Sequence, residues 1–457
     1  LADVLADPHV ASSVDVLTVT ASAGCLVPMR SDGSTLGNAI MISDVRASQQ
    51  AARIEASAAF RSLRNGRVRV TPDLVLPKIL WLREEEPERF GAANWFATPN
   101  DFLLHRLTGE LVTDQNNASK YLYDIAAQEY PHRLLAELGI DRATLPRVVA
   151  PGTTSLPLLD SVRRTFGLPD GARAVVSTYD AICAVYGAGV ARVGDSCDVS
   201  GTVTSFRALT DSIPNDETGR LFTAPHLTSG LFLTGGSNNL GGGVIEWAKQ
   251  LLYVDESDPY ACMTAEAMDA PPGAAGITFL PYLLGERAPV WDANARAVFF
   301  GLGRNHQRGD LIRAIFEGVG YSVLDIADRL REMGVRIERV SASGGLARLE
   351  PINQIKADML GVPVQTTLEI ETTALGAGLI ALVCTGRFAS LTEAVGACVQ
   401  LGKPYEPQPA RTQMYHDFFG VYRSLYEQLR GLFVERERLI GQHREVLRTK
   451  PTYTENL

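Results

Sequence analysis

The chain has 457 residues, of which 46% are hydrophobic and 21% are charged, a composition typical of a globular protein with two or three domains. Its formal net charge of −9 argues against a protein that binds a nucleic-acid backbone, because such binding needs a basic face. We therefore expect a small-molecule ligand and no nucleic-acid partner.

The first part of the chain alternates short apolar runs with longer runs of helical spacing. These patterns predict strands at 14–22 and 37–44 and helices at 47–64 and 76–90. In the next helix, Asn100 or Asp101 is the predicted N-cap, and Gly109 is the predicted stop.

Residues 174–189, AVVSTYDAICAVYGAG, form an apolar strand that leads through Asp180 into a helix of small residues. Two interpretations of this aspartate are open, and they are compatible with each other. In one, Asp180 is the N-cap of a helix that starts near Ala181. In the other, it is a general base that accepts a proton at a cleft. The glycines at the end of the stretch predict close packing against another element.

The second part repeats the alternation. The predicted elements are strands within 197–209 and 229–237, a long amphipathic helix at 306–334 that Gly334 ends, and a strand at 336–345. A small-residue segment at 189–196 separates the two parts. The sequence therefore predicts an α/β protein with domains at 1–193 and 194–457.

Three glycine-rich turns follow strand-like runs in the second part, and they contain Gly201 with Thr202, Gly241 with Gly242, and Gly344 with Gly345. Turns of this kind can aim backbone N–H groups at phosphates, and the second one opens a helix predicted to start at Val244. Each turn alone is equally consistent with a plain loop, and none has the spacing of a P-loop or a dinucleotide fingerprint. Together they indicate a nucleotide.

The six cysteines are scattered without a CxxC pair, which predicts buried thiols in a reducing compartment. The most apolar run, 374–384, is shorter than the roughly 20 residues that a membrane span needs. We therefore expect a cytoplasmic protein without a membrane partner.

Several longer segments resemble the FGGY carbohydrate kinases, which phosphorylate sugars and polyols with ATP. Residues 297–317, AVFFGLGRNHQRGDLIRAIFE, are similar to the second signature of that family. Residues 280–297 resemble its GERxPxWDPxAR segment, and residues 341–364 resemble its SGGxARSPxWxQIxADxxGxPV segment. MISDVRA, at 41–47, stands where these kinases have WxDxRA.

The resemblance implies two actin-like (ribonuclease-H-like) domains with an ATP/sugar cleft between them. The sugar would bind to domain 1–193 and ATP to domain 194–457, and the enzyme would use Mg²⁺ and transfer the γ-phosphate to a hydroxyl of a ketopentose such as D-xylulose or D-ribulose. A non-catalytic sugar-binding or regulatory member of the same fold is the alternative. An actin-like chaperone or filament ATPase is disfavoured, since those proteins lack the SDVRA and GERAPVWD segments.

The resemblance also implies roles for single residues. Asp180 matches the catalytic aspartate that deprotonates the sugar hydroxyl. The residues that match the sugar pocket are Ser22, Ala23, Gly24, Cys25 and Asp44. The residues that match the ATP side are Gly201, Thr202, Gly241, Gly242, Gly344 and Gly345. The metal ligands are not assigned.

The chain departs from the family pattern in four places, one of which is Ile42 and Ser43, where the family has tryptophan and asparagine before the position of Asp44. The DxGTxxxK hairpin with which the family opens does not occur in the 457 residues, and we expect roughly 60 residues of strands and a helix to be missing before Leu1. Ser22–Cys25 replaces the QMHG of xylulose kinases, and Ala181 replaces an asparagine, so the sugar within the ketopentose class stays open.

An aromatic stripe marks the C-terminal helix, at Tyr415, Phe418, Tyr422 and Tyr426. A stripe of this spacing is typical of ordinary packing within one chain. A homodimer face is the alternative interpretation.

Overall fold

The computed structural model describes residues 3–63 and 69–444 of the chain. Helices and strands alternate along this length. The helices are α1 Pro8–Ser12, α2 Ser48–Ala56, α3 Ala58–Arg61, α4 Val75–Glu85, α5 Pro87–Gly91, α6 Pro99–Thr108, α7 Gln115–Ala118, α8 His132–Glu137, α9 Asp160–Phe166, α10 Asp180–Gly187, α11 Gly242–Leu252, α12 Pro259–Asp269, α13 Arg308–Glu332, α14 Glu350–Leu360, α15 Thr372–Cys384, α16 Leu391–Cys398 and α17 Pro409–Gln442.

The strands are β1 Val16–Thr18, β2 Val27–Met29, β3 Trp95–Ala97, β4 Val112–Asp114, β5 Arg147–Val149, β6 Ser155–Pro157, β7 Arg173–Val175, β8 Asp195–Ser200, β9 Thr204–Thr210, β10 Phe222–Pro225, β11 Phe232–Ser237, β12 Thr278–Leu280, β13 Val298–Phe300, β14 Arg339–Ser343 and β15 Val364–Thr366. Single turns of 3-10 helix lie at Ser119–Tyr121, Arg142–Thr144, Ala274–Gly276 and Gly345–Arg348.

A three-stranded sheet in the first part positions Asp180. Its order is β1-β7-β6, with β1 and β7 parallel and β7 and β6 antiparallel. Because β1 and β7 run in the same direction, the segments that follow them emerge at the same sheet edge. The loop that follows Thr18 and the start of α10 are therefore neighbours, and Asp180 N–H donates to the carbonyl oxygen of Ala21 in that loop.

A six-stranded sheet organises the second part, in the order β10-β11-β9-β8-β14-β15. Strands β8, β14 and β15 are parallel, and β8, β9, β11 and β10 pair as an antiparallel run. The 25-residue α13 packs on this sheet with its apolar side chains buried. This arrangement brings the turns after β8 and β14 to one edge.

Two glycines allow α10, from the first part, to pack directly on α15, from the second part. A Cβ atom at Gly187 would overlap the carbonyl oxygen of Thr372, and one at Gly376 would overlap the carbonyl oxygen of Cys183. The close packing that the small residues predict is therefore present. The 374–384 run lies within α15, whose buried residues contribute to the apolar core around α10.

Helix ends differ from the sequence-based prediction at several positions. The N-cap of α6 is Thr98, not Asn100 or Asp101, because Pro99 occupies the first helical position and a capping box joins Thr98 to Asp101. Gly109 ends this helix in the left-handed conformation (φ 80°), as predicted. Helix α13 ends at Glu332 with Met333 as its C-cap, one residue before Gly334.

Other predicted elements are split or absent. The predicted helix at 47–64 is divided by Ser57, whose side chain caps α3, and Arg64 lies outside the described residues. The predicted helix at 76–90 is likewise split, into α4 and α5. The strand predicted at 37–44 is wrong, since this run makes a single bridge, between Ile40 and Leu26.

The aromatic stripe of α17 is largely buried within the chain. Tyr415, Tyr422 and Tyr426 are buried, and Phe419 rather than Phe418 completes the buried set. The hydroxyl of Tyr422 accepts a hydrogen bond from Tyr282. Within residues 3–63 and 69–444, no helix combines the length and the apolar character needed to cross a bilayer.

Candidate active site

A cavity of about 950 Å³ lies between walls contributed by both parts of the chain. Four of the residues singled out from the sequence line it, namely Ser22, Ala23, Asp180 and Gly201. A volume of this size is typical of a small-molecule site. The cavity is therefore the candidate active site.

Asp180 is the first residue of α10 and extends into this cavity. Its N–H donates to the carbonyl oxygen of Ala21 (3.1 Å), and its Oδ1 accepts from the N–H of Ala181 (2.7 Å). The N-cap of α10 is Tyr179, without a side-chain cap, so the interpretation of Asp180 as the N-cap is wrong.

The second carboxylate oxygen of Asp180, Oδ2, forms no hydrogen bond with any described residue. Burial raises the pKa of Asp180 above its ordinary value, although the positive charges of Arg207 and Lys120 partly offset this effect. A half-buried carboxylate with one unbonded oxygen and a raised pKa can accept a proton from a bound hydroxyl.

The segment Ser22–Cys25 contributes to the cavity with only its first two residues. Gly24 has a φ of 77°, and a Cβ atom there would overlap the carbonyl oxygen of Asp73. The carbonyl oxygen of Gly24 accepts a hydrogen bond from Nζ of Lys78 (2.7 Å), and Cys25 is buried behind the wall. Gly24 and Cys25 therefore shape the loop from behind.

Asp44 is not part of the cavity wall, whereas its neighbour Ile42 is. The Asp44 carboxylate pairs with Arg46, which donates from Nε to Oδ2 (2.8 Å) and from its backbone N–H to Oδ1 (3.0 Å). The hydrogen bond from the Arg46 side chain lowers the pKa of Asp44 below its ordinary value. The guanidinium group of Arg46 also lies 4.7 Å from the centre of the Trp81 ring.

The three glycine turns predicted for the ATP side lie together at one end of the six-stranded sheet. The carbonyl oxygen of Gly201 accepts from the N–H of Gly242 (2.8 Å), and that of Thr202 accepts from the N–H groups of Gly241 (2.8 Å) and Gly243 (3.1 Å). Gly344, at a φ of 86°, packs against the backbone of Ser200, and Gly345 begins the 3-10 turn that follows β14.

Helix α11 begins at Gly242 rather than at the predicted Val244. Because the N–H groups of Gly241, Gly242 and Gly243 already have carbonyl partners, the start of α11 is not an open anion site in this arrangement. Gly201 and Thr202 are exposed, as is Gly345 of the third turn.

A buried ion pair lies beneath the Gly201 turn. Lys356, on α14, and Asp198, on β8, are 2% and 1% exposed. Nζ of Lys356 donates to Asp198 Oδ2 and to Ser200 Oγ (3.1 Å), while Ser200 Oγ donates to Asp198 Oδ1 (2.6 Å). Ser200 directly precedes Gly201, so this network anchors the turn to the helix behind it.

Arg69, Asp216 and Arg220 line the cavity and were not singled out from the sequence. The same is true of five charged residues near or at it that bear on the argument, namely Asp73, Lys78, Lys120, Arg207 and Arg287. All except Lys78 line the cavity. Lys78 is fully buried behind the wall, and burial lowers its pKa to about 8. Two of the five had a recognisable signal: Arg207 is a charge within the apolar run TSFRAL, and Arg287 belongs to the GERAPVWD segment.

The GERAPVWD segment is held against the turn after β11. Arg287 donates from Nη2 to the carbonyl oxygen of Asn238 (2.8 Å), and the Glu286 carboxylate accepts from the N–H of Asn239 (2.7 Å). Burial raises the pKa of Glu286 to about 7. Glu286 thus fixes the backbone that carries Arg287 into the cavity wall.

Metal-binding groups and cysteines are the remaining chemical features of the described residues. Among them, no group of three or more His, Cys, Asp or Glu side chains could hold a metal ion. The six cysteines are free thiols. Burial, which was predicted for all of them, holds for Cys25, Cys183 and Cys197, whereas Cys262, Cys384 and Cys398 are half-buried. Burial raises the pKa of Cys183 to about 11.

Comparison with known families places both parts of the chain. Residues 3–187 match the N-terminal domain, and residues 199–384 the C-terminal domain, of the FGGY family of carbohydrate kinases. Among curated proteins, the chain is 27% identical over 423 residues to the xylulose kinase of Bacillus subtilis (strain 168), covering 92% of this chain and 84% of that protein. It is 27% identical over 376 residues to the gluconokinase of the same organism, covering 80% and 73%.

Solved structures give the same fold. A ligand-bound xylulose kinase from Lactobacillus acidophilus superposes with a TM-score of 0.84 at 28% identity, covering 92% of this chain and 86% of that one. A gluconate kinase from the same organism superposes with a TM-score of 0.81 at 28% identity, covering 90% and 83%. The predicted pair of actin-like, ribonuclease-H-like domains is confirmed by this likeness.

Proposed function

This chain belongs to the FGGY family of carbohydrate kinases and is an ATP-dependent sugar kinase; from that premise we propose that it transfers the γ-phosphate of ATP to a hydroxyl of a ketopentose, with Asp180 as the general base. One observation carries the assignment of the base. Asp180 lines the cavity with an unbonded carboxylate oxygen, between the Ser22–Ala23 loop and the Gly201 turn.

The chemistry of the step follows from that position. Asp180 accepts the proton of the attacking hydroxyl as its oxygen forms a bond to the γ-phosphorus, while the bond from that phosphorus to the bridging oxygen of ATP breaks and ADP leaves. Burial raises the pKa of Asp180, which makes its carboxylate a stronger base than an exposed aspartate. The hydrogen bond from Ala181 N–H fixes the direction of the side chain.

We assign the nucleotide to the glycine turns of domain 194–457 and the sugar to domain 1–193. On the ATP side, we propose the Gly201–Thr202 turn as the phosphate contact, with Gly241, Gly242, Gly344 and Gly345 shaping the backbone around it. On the sugar side, we propose Ser22 and Ala23 as the contacts, with Gly24 and Cys25 shaping their loop from behind. Asp44, which the resemblance matches to the sugar pocket, lies outside the cavity wall and is not assigned a contact. Mg²⁺ would enter with ATP as part of the substrate, since this ion is usually held by phosphate oxygens and one or two carboxylates. We expect the enzyme to act in the cytoplasm.

The sugar is proposed from two considerations. Proteins named xylulose kinase are among the similar proteins, which favours a ketopentose. Proteins named gluconokinase or gluconate kinase are similar to the same degree. The Ser22–Cys25 loop also has small side chains, so the test must include ketopentoses and gluconate.

The test is a screen of ADP release against D-xylulose, L-xylulose, D-ribulose, L-ribulose, glycerol and D-gluconate at saturating ATP. We expect the highest kcat/KM with one of the ketopentoses. A higher kcat/KM with gluconate or glycerol would contradict the ketopentose assignment. No release with any sugar, together with measurable sugar binding, would favour the non-catalytic alternative.

A further inference from the structure

Arg207 lies on β9, the strand that directly follows the Gly201–Thr202 turn. Side chains on a strand alternate between its two faces, and Val203, Ser205 and Arg207 share the face that lines the cavity. The guanidinium group of Arg207 is therefore on the same wall as the turn assigned to phosphate. Its positive charge also acts on the Asp180 carboxylate across the cavity.

Arg207 is buried, and no carboxylate of the described residues lies within ion-pair distance of it. The residue is 8% exposed, it donates from Nη1 to Ser205 Oγ, and its Nε is buried without a hydrogen-bond acceptor among the described residues. It forms no ion pair with any residue in the described ranges. Buried charges in proteins are normally paired, so an unpaired one at a cavity wall indicates an absent anionic partner.

Arg287, which is half-buried, shares one feature with Arg207. Its Nε is also buried without an acceptor among the described residues, and it lines the same cavity. Burial lowers the pKa of Arg287, the carboxylates of Asp73 and Glu286 oppose this effect, and the positive charge of Arg207 adds a smaller lowering. Two guanidinium groups that repel each other, in a chain of net charge −9, are typical of a site whose ligand is an anion.

The position of Asp180 indicates which anion this is. If Asp180 binds the attacking hydroxyl, the phosphorus atom of the transferred group is next to that hydroxyl oxygen, because the new bond forms between these two atoms. The transferred group then lies between Asp180 and the Gly201 turn, beside the cavity wall that carries Arg207. Phosphoryl transfer is accelerated mainly by positive charge placed on the oxygens of that group.

We infer that Arg207 is a further catalytic residue, whose guanidinium group binds the oxygens of the phosphoryl group during transfer, with Arg287 as a second contact. This inference rests on the proposed function, because it takes Asp180 as the base. A positively charged residue that binds the transferred group acts on the transition state, so its loss lowers kcat and leaves the affinity for the sugar unchanged.

The test compares Arg207→Met and Arg207→Lys with Arg339→Met. Arg339 is an arginine of the same sheet, on β14, and it is paired with Asp195 (Nε to Oδ1, 2.6 Å) outside the cavity wall. We expect Arg207→Met to lower kcat by about 10³-fold and Arg207→Lys to lower it less, since lysine keeps the charge without the two-pronged geometry. Arg339→Met should leave kcat within about twofold of the unaltered protein.

Thermal stability and binding separate this role from a structural one. Replacing an arginine that forms no ion pair leaves no opposite charge buried without its partner. The Tm of Arg207→Met should therefore equal or exceed that of the unaltered protein. Arg339→Met, which strands Asp195, should have the lower Tm. ADP with aluminium fluoride and sugar, which together mimic the transferring phosphoryl group, should bind tightly to the unaltered protein and weakly to Arg207→Met.

Two results would overturn the inference. One is a kcat of Arg207→Met within about threefold of the unaltered value. The other is a loss of sugar binding by Arg207→Met in the absence of nucleotide with kcat preserved, which would make Arg207 a contact for an anionic sugar. Asp180→Asn distinguishes this failure from that of the proposed function: if it is inactive while Arg207→Met is active, only the role of Arg207 is wrong.

Discussion

The buried pair of Lys356 and Asp198 offers a sharp test of how the Gly201 turn is held. Replacing Lys356 with Met leaves the Asp198 carboxylate buried, with Ser200 Oγ as its remaining side-chain donor among the described residues. Replacing Asp198 with Asn leaves the Lys356 ammonium group buried without a counter-charge. The double variant Lys356→Met/Asp198→Asn removes both charges.

The expected magnitudes follow from the burial of both side chains. Removing one partner of a buried ion pair costs about 3–5 kcal/mol, whereas removing both costs much less. At about 2 °C per kcal/mol, a scale suited to a domain of about 250 residues, either single variant should lower the Tm by about 6–10 °C. The double variant should recover most of that loss, which gives a large coupling energy between the two positions.

The assay is differential scanning calorimetry on the four proteins, with Arg53→Met as the control. Arg53 pairs with Glu84 on the surface, where an ion pair contributes about 1 kcal/mol or less. Because the pair anchors Ser200, the single variants should also raise the KM for ATP more than the KM for sugar. A coupling energy near zero, or single variants as stable as the unaltered protein, would refute this account of the turn.

Two further predictions concern packing and pH. Gly187→Ala should destabilise the protein by about 1–3 kcal/mol, because its Cβ would overlap the carbonyl oxygen of Thr372. At Gly378, in the middle of α15, a new Cβ atom would meet no atom within 4 Å, so Gly378→Ala should stabilise the protein by about 0.5–1 kcal/mol. Equal effects of Gly187→Ala and Gly378→Ala on the Tm would contradict this description of the packing. Burial raises the pKa of Asp101 to about 7, above the value of about 3.9 in an unfolded chain. Between these two values the folded protein keeps a proton that the unfolded chain releases. The free energy of unfolding should therefore fall as the pH rises from about 4 to about 7. Asp101→Asn should flatten this slope in urea-unfolding midpoints, and an unchanged slope would show that Asp101 does not titrate in this range.

Elements with strong local periodicity could be predicted from the sequence. Helix α13 was predicted because its apolar residues recur at three and four positions, and the hairpin of β8 and β9 because two β-type runs flank Gly201. The helix starts were less predictable. Thr98 and not Asp101 caps α6, because Pro99 fits the first helical position, and a capping box uses both polar residues at once. The run at 37–44 is apolar, but it finds only one bridge and therefore forms no strand.

The candidate site was predicted in part. The three glycine turns and Asp180 were recognised one by one, but their proximity depends on the order of strands in the sheet, which local patterns do not contain. Arg207 and Arg287 are far apart in the chain, so only the folded structure brings the two guanidinium groups to one cavity. Asp44 was matched to the sugar pocket from the sequence, but in the structure its carboxylate pairs with Arg46 and it is not part of the cavity wall.

The measurement that tests the central claim most directly is the turnover of Asp180→Asn. ADP release would be followed at saturating ATP with the sugar that the unaltered protein turns over best, and the sugar affinity would be measured by calorimetry without nucleotide. If Asp180 is the general base, kcat falls by about 10²–10⁴-fold, and the dissociation constant for the sugar stays within about threefold. A variant that retains kcat would contradict the assignment of Asp180 as the base.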